Sequence, residues 1–384
     1  MTQVVALAVE QGPAFVDLLR REWDDGHAVA VLAPGLPDAE HARVLAAVRP
    51  THVVDGAGKR PVGGGVEAEP GDALVMTTSG STGAPRAVVL THRAVEASAH
   101  LTSHALAIDP GSDRWLCCLP VWHIGGMSVI TRSLTTGTAL TVHPRFDAAA
   151  VTASAADGVT RVSLVTRALA AVDPALFATV LLGGAAPPPE RPPNVIATYG
   201  STETGSGVVY DGRPLDGVEL RTDDGGQLWV RSPTLLRCYR DGSNPTTADG
   251  WYPTGDAGAI DEAGVLHVHG RLDDAIVTGG EKVWPARLER RLSELGGVAA
   301  VAVVGRPDPE WGHEVVALIE VDRAATPPSI DEVKAHVRAV LPAHYAPRAV
   351  VPVDELPRTP FGKIRRSALA PMVAGSAPDR SAGD

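Results

Sequence analysis

Short apolar runs alternate with amphipathic stretches through the first 55 residues. VVALAVE reads as a strand, HAVAVLAP as a second and THVVD as a third. Between the first two, PAFVDLLRREW puts Phe15, Leu18, Leu19 and Trp23 on one helical face, with Pro13 near its start. Val44, Leu45 and Val48 make the stripe of a second helix before the third strand. This βαβαβ order predicts a parallel, helix-covered sheet. Residues 56–71, GAGKRPVGGGVEAEPG, are Gly/Pro-rich and read as an exposed loop. From 72 to about 271, β runs such as DALVMTTS, AVVLTH, TALTVH and TVLLGG mix with helical stretches such as RAVEASAHLTSHAL.

Beyond Arg271 the pattern changes. Leu288, Leu292 and Leu295 share one helix face, VAAVAVVG and EVVALIEVD read as strands, Ile330, Val333, Val337 and Leu341 share another helix face, and RAVVPV is a further strand. A βαββαβ-like unit of this kind fits a small α+β domain. The expected organisation is therefore a large N-terminal domain of helix-covered β-sheets over 1–271, a smaller α+β domain over 272–374 and a disordered tail over 375–384.

Composition narrows the class. The 384 residues correspond to two or three domains, and 44% hydrophobic with 21% charged residues excludes a disordered chain. No apolar run reaches the roughly 18 residues of a membrane span, and the N-terminus meets Glu10 before any long apolar core, so neither a span nor a signal peptide is expected. Three cysteines give no disulfide framework and no zinc spacing. A net charge of −11 argues against a nucleic-acid partner and leaves a cytoplasmic globular protein. Only four of the 34 basic residues are lysines: Lys59, Lys282, Lys334 and Lys363. In a chain that otherwise meets charge with arginine, those lysines draw attention, because ammonium and guanidinium are not interchangeable.

The strongest local signal is Thr77-Thr78-Ser79-Gly80-Ser81-Thr82-Gly83-Ala84-Pro85-Arg86. Its glycines let the backbone curl, its hydroxyls and N–H groups suit phosphate oxygens, and Arg86 adds a cation. It is not a Walker A loop, and alone it reads equally as a Ser/Gly hairpin. Four further clusters follow. Ala197–Gly205 contains Tyr199, Gly200, Ser201, Thr202 and Glu203; Trp251–Asp256 ends in a carboxylate; Gly270–Asp274 sits where the pattern changes; Pro357–Lys363 puts a lysine on a Gly/Pro loop.

In joint order and spacing these clusters resemble the adenylate-forming superfamily of acyl-CoA synthetases, adenylation domains and luciferases. The resemblance implies that Thr78, Ser79, Gly80, Ser81, Thr82, Gly83 and Arg86 meet ATP phosphates. It implies that Gly184, Ala185, Tyr199, Gly200 and Thr202 flank the nucleotide, that Glu203 holds Mg2+, and that Asp256 and Arg271 hold the ribose. Asp273 becomes the interdomain hinge, Gly279 and Gly280 border a coenzyme A channel, and Lys363 bridges carboxylate and phosphate. Two departures stand out: Arg86 replaces the usual lysine, and only about 75 residues precede the loop, so the N-terminal subdomain is abridged and suits a small, enclosed acid.

Finer features, Cys118–Gly126, Arg132-Ser133-Leu134, LLGGAAPPP and TYGSTETGSGVVYDGRPLDGV, look like the o-succinylbenzoate–CoA ligases of menaquinone biosynthesis. That resemblance implies an aromatic keto acid with two carboxylates as substrate, with ATP, Mg2+ and coenzyme A as its other requirements. His123, Arg132, Arg167, Gly126 and Ser201 then line the acyl pocket, and His123 and Thr202 join Glu203 and Lys363 as catalytic residues. The bland alternatives are a packed core histidine and solvated arginines. Three rival functions are a carrier-loading adenylation enzyme, a CoA ligase for another aryl or short-chain acid, and a non-catalytic nucleotide-binding module. Monomer and homodimer both stay open.

Overall fold

The computed structural model of the chain describes residues 2–79, 85–188, 190–321, 325–358 and 364–373. They form two compact units. One comprises 2–221, 229–253 and 260–266; the other comprises 222–228, 254–259 and the described residues from 267 onward. Among the described residues no helix is long and apolar enough to cross a membrane.

The first unit opens as the apolar pattern predicts, with β1 (Val4–Leu7), α1 (Pro13–Asp24), β2 (Ala28–Val31), α2 (Asp38–Val48) and β3 (His52–Asp55). Strand β1 runs parallel to both neighbours, and every residue of β1 and β2 is buried. Burial on both faces explains why these strands are continuously apolar rather than alternating. The loop expected over 56–71 needs correction, because Gly58–Pro61 is β4, an antiparallel edge strand on β3. All four of its residues are exposed, and the strand is held by backbone pairing and by Lys59 and Arg60 reaching Glu22 and Asp55, so hydrophobicity carries no sign of it. Strands β5 (Asp72–Ser79) and β6 (Pro85–Thr91) add an antiparallel hairpin whose ladder ends at Ser79 opposite Pro85. Its tip, with Gly80, Ser81, Thr82 and Gly83, lies outside the described residues.

After α3 (His92–Ala105), a second sheet begins. It draws on β7 (Arg114–Cys117), β8 (Ala139–Val142), β9 (Arg161–Val165), β10 (Thr179–Gly183), β11 (Val195–Ser201), β12 (Ser206–Tyr210) and β13 (Arg213–Pro214), with α4 (Ile124–Thr136), α5 (Ala148–Ala156) and α6 (Thr166–Leu169) in the connections. Their order is β13-β12-β11-β10-β9-β7-β8. The five strands from β8 to β11 pair in parallel, and β12 then turns back antiparallel. Strands β14 (Glu219–Thr222) and β15 (Gln227–Arg231) follow. Next, β16 (Cys238–Tyr239) pairs with β6 at the edge of the first sheet. Strands β17 (Tyr252–Ile260) and β18 (Leu266–Arg271) supply residues to both units.

The second unit is α+β. It contains β19 (Ile276–Thr278), β20 (Glu281–Val283), α7 (Pro285–Leu292), β21 (Val298–Asp308), β22 (Gly312–Val321), α8 (Ile330–Arg338) and β23 (Ala349–Val353). Successive residues of β21 and β22 face opposite sides. Val301, Val303, Val315, Ala317 and Ile319 pack with Leu288, Leu292, Val333 and Val337. On the other side, Ala302, Val316 and Leu318 pack with Leu356, Leu369 and Val373. Helix α7 stops at Leu292 and α8 at Arg338, so Leu295 and Leu341 lie past the helices expected to carry them, yet both still join the same apolar cluster.

Candidate active site

Strands β7, β9, β10 and β11 are parallel neighbours, so their C-terminal ends share one edge of the sheet. Ligands of open α/β sheets bind at such an edge, where loops rather than side-chain ladders meet solvent. The loop after β7 carries His123, the one after β9 leads into Arg167, the one after β10 holds Gly184 and Ala185, and the one after β11 holds Thr202 and Glu203. One topological feature thus gathers predicted residues spread over eighty positions of sequence.

His123 precedes α4 as its N-cap, in extended backbone, with its exposed imidazole tilted against Trp122. Exposure removes the packed-core reading. The preceding turn is held from an unexpected quarter. Gln11, buried after β1, donates from Nε2 to Leu119 O at 3.1 Å and His143 O at 2.8 Å, while its Oε1 accepts from Val121 N–H at 3.0 Å. Gly126 lets α4 approach this turn, because a Cβ there would stand 2.3 Å from Pro120 O. Gln11→Ala removes a hydrogen-bond partner from Leu119 O, His143 O and Val121 N–H, so it should lower Tm and raise KM for the acid while KM for ATP stays at the parental value. Unequal effects on the two substrates are the measurement; equal ones would show that Gln11 supports the fold generally.

Tyr199 pairs with Val209 across the β11–β12 hairpin, and the register shifts between Tyr199 and Gly200. Gly200 is required there, since a Cβ would lie 2.0 Å from Ser206 O. Past it, Ser201 N–H donates to Thr204 Oγ1 at 2.7 Å, and Thr204 donates onward to Ser206 O at 2.7 Å. This knot leaves Glu203 on the turn, half-buried, with Oε1 accepting from Tyr239 Oη at 3.2 Å. On the other sheet, Thr78 stands opposite Arg86 where the hydroxyl-rich loop leaves β5. Arg86 lies face-on to Tyr239, its Cζ 3.4 Å from the ring centroid, and donates to Ser243 Oγ at 3.2 Å. Among the described residues no three His, Cys, Asp or Glu side chains cluster as a metal cage. The Glu203 carboxylate is the kind of oxygen donor that a hard cation such as magnesium would take as a ligand.

Arg132 is the chemical anomaly. It sits on α4, 2% exposed, with its guanidinium 4.6 Å from the centroid of the Trp115 ring. Among the described residues its Nε and Nη1, like the indole Nε1 of Trp115, meet no hydrogen-bond acceptor. Burial pulls its pKa below the ordinary arginine value and pushes that of Tyr210 up. Around it, α3 is pinned to β12 by Thr102 Oγ1–Tyr210 Oη at 2.9 Å and Ser98 Oγ–Ser206 Oγ at 2.7 Å. Arg167, the other arginine expected in the acyl pocket, is exposed on α6.

Within the second unit, the two residues expected at the ribose lie together. Arg271 Nη1 donates to Asp256 Oδ1 at 3.2 Å and to Thr254 O at 3.0 Å. Asp273 is exposed in the turn after β18, and Gly279 and Gly280 form the two-residue turn of the β19–β20 hairpin. Lys363 lies outside the described residues; the flanking Arg358 and Ile364 pair as an antiparallel bridge. Burial raises the Cys117 thiol above the ordinary range and that of Cys118 to about 12.

Gln11 and Tyr239 escaped the sequence reading. A lone glutamine and a tyrosine on a two-residue strand have no periodicity, and their partners are more than thirty residues away.

Comparison with known proteins gives this arrangement its class. The chain matches the AMP-binding enzyme family over residues 61–240 and the AMP-binding enzyme C-terminal domain over 287–363, and it belongs to that family. Within the family it is 39% identical, over 79% of its own length and 85% of the relative's, to the probable 2-succinylbenzoate–CoA ligase of Mycobacterium tuberculosis. The 2-succinylbenzoate–CoA ligase of Listeria monocytogenes is 32% identical over 77% of the chain and 69% of the relative. Among solved structures, o-succinylbenzoate CoA synthetase of Bacillus subtilis in complex with its acyl-adenylate intermediate matches with a TM-score of 0.83 at 26% identity, covering 98% of this chain and 89% of that one.

Proposed function

We propose that the chain is an ATP-dependent 2-succinylbenzoate–CoA ligase that works through an acyl-adenylate. The relatives support the activity, and one observation supports the acid: the buried Arg132 guanidinium has donors to spare for a second carboxylate.

In the first half-reaction a carboxylate oxygen of the succinyl arm attacks the α-phosphorus of ATP, and pyrophosphate leaves. Two anions must approach while charge grows on phosphate oxygens, so the barrier is chiefly electrostatic. Glu203 would hold a magnesium ion, which when bound would offset part of that charge. The hydroxyl-rich loop and Arg86 hold the β and γ phosphates, Asp256 and Arg271 the ribose, and Lys363 the attacking carboxylate beside the α-phosphate. His123 and Ser201 border the acyl group, and Arg132 holds the benzoate carboxylate. In the second half-reaction the CoA thiol, losing its proton, attacks the acyl carbonyl and AMP departs. The C-terminal domain turns about Asp273 between the two, withdrawing Lys363 and bringing Gly279 and Gly280 to the pantetheine path. Both nucleotide and CoA are at hand in the cytoplasm, where we place the enzyme.

Incubation with ATP, Mg2+, CoA and 2-succinylbenzoate should yield the CoA thioester by mass spectrometry. Thioester from other aryl acids but not from this one would overturn the substrate assignment. Asp256→Ala should weaken calorimetric binding of ATP and AMP while the protein stays folded. Glu203→Gln should instead raise the Mg2+ concentration at half-maximal pyrophosphate release. An unchanged ATP affinity, or an unshifted magnesium curve, would remove the corresponding role.

A further inference from the structure

Two groups that the adenylation reading assigns to the nucleotide phosphates and the metal, Arg86 and Glu203, are far apart in sequence, yet both touch one side chain. Tyr239 is 5% exposed on β16, where it pairs with Val88 of β6, two residues from Arg86 along that strand. Its ring face carries the Arg86 guanidinium at 3.4 Å, and its hydroxyl donates to Glu203 Oε1 at 3.2 Å. The backbone around it is fixed on both sides. Leu236 N–H donates to Glu203 O at 2.8 Å, and Arg240 N–H donates to Ala87 O at 2.8 Å. Arg240 in turn anchors the segment by donating from Nε to Val48 O and from Nη1 to Glu67 O, each at 3.0 Å.

We infer that Tyr239 is a positioning residue that sets the phosphate-binding cation and the metal-binding carboxylate in register, one through its face and the other through its hydroxyl. The inference rests on the proposed adenylation chemistry for the roles of Arg86 and Glu203. It also gives a physical reason for arginine rather than lysine at this position. A planar, weakly hydrated guanidinium stacks on an aromatic face, and the remaining edge still presents N–H donors to phosphate; an ammonium lacks that geometry. Ser243 completes the seat, accepting from Arg86 Nη2 and donating to Asp241 Oδ1 at 2.6 Å. The carboxylate side has the same logic. A Glu203 oxygen tied to a fixed phenol leaves the second oxygen in a defined direction, so less rotamer freedom is lost when a cation binds.

The face and the hydroxyl can be removed separately. Tyr239→Phe keeps the ring and should raise the Mg2+ concentration at half-maximal pyrophosphate release about tenfold, the scale of one hydrogen bond to a charged group. It should leave the calorimetric affinity for metal-free ATP near the parental value. Tyr239→Leu removes both contacts and should weaken metal-free ATP as well. Arg86→Lys should weaken metal-free ATP in the parent and change little in the Tyr239→Leu background, since the stack it relies on is already gone. Tm is recorded for all variants, because a purely packing role would lower Tm in Tyr239→Phe and Tyr239→Leu without moving the magnesium curve. That pattern, together with equal Arg86→Lys effects in both backgrounds, would overturn the inference. If instead the parent releases no pyrophosphate with any acid, the adenylation reading fails, and the ATP-binding cycle still reports whether Tyr239 and Arg86 are coupled.

Discussion

Lys363→Ala is expected to reduce pyrophosphate release from acid and ATP by roughly a hundredfold to a thousandfold, while the same variant converts prepared acyl-adenylate plus CoA to thioester at close to the parental rate. The size follows from a few kcal/mol of lost electrostatic stabilisation at about 1.4 kcal/mol per decade of rate. The asymmetry follows from the proposed rotation, which removes the lysine before the thiol attacks. An ammonium is compact enough to sit between a carboxylate oxygen and an α-phosphate oxygen, whereas a guanidinium is wider and planar, so Lys363→Arg should fail in the first assay despite keeping its charge. The fold should survive all of these changes. The segment after the lysine is anchored by buried Leu369 and Val373 and by Arg366, whose Nη2 lies 2.7 Å from Glu289 Oε2. Before it, Arg358 pairs with Glu320 at 3.1 Å. Equal loss in both half-reactions would reject domain alternation even in a working ligase.

The second large effect separates Arg132 from Arg167. Replacing the benzoate carboxylate of the substrate by an uncharged group should cost the parent about 1.5–3 kcal/mol in kcat/KM, the scale of a charged hydrogen bond. Arg132→Met should lose most of that discrimination, and Arg167→Ala should keep it. The methionine variant should also melt at the same temperature as the parent or higher. A buried charge without a carboxylate is destabilising, and a well-packed apolar side chain of similar reach removes that cost. Lost discrimination combined with undiminished stability is the signature of a cation kept for the ligand rather than for the fold. If Arg132→Met prefers the dicarboxylate as strongly as the parent does, the guanidinium belongs to the interior alone, and the benzoate carboxylate is held elsewhere.

These two residues mark the divide between what sequence and structure contribute. Lys363 could be singled out from sequence because scarcity of lysine, a Gly/Pro loop and an ordered set of motifs all bear on it. The parallel sheet of the first unit was legible for a similar reason. Strands buried on both faces must be apolar throughout, and the amphipathic helices between them carry the complementary period. The same double burial made β21 and β22 visible. Edge strand β4 was not, because an exposed strand leaves no apolar pattern. In sequence Arg132 and Arg167 were equivalent, two cations on segments near the acyl pocket. Only packing distinguishes them, since burial, and among the described residues the lack of an acceptor, depend on the neighbours that Trp115 and Tyr210 bring from other strands. Gln11 and Tyr239 belong to the same class: each joins groups distant along the chain through contacts that carry no local periodicity. The sequence alone determined the family, its motifs, and the opening βαβαβ order, because those depend on local pattern. Which side chains stand against one another, and hence which of the two arginines is buried and which exposed, was decided by the tertiary structure, because desolvation and pairing depend on everything folded around a group.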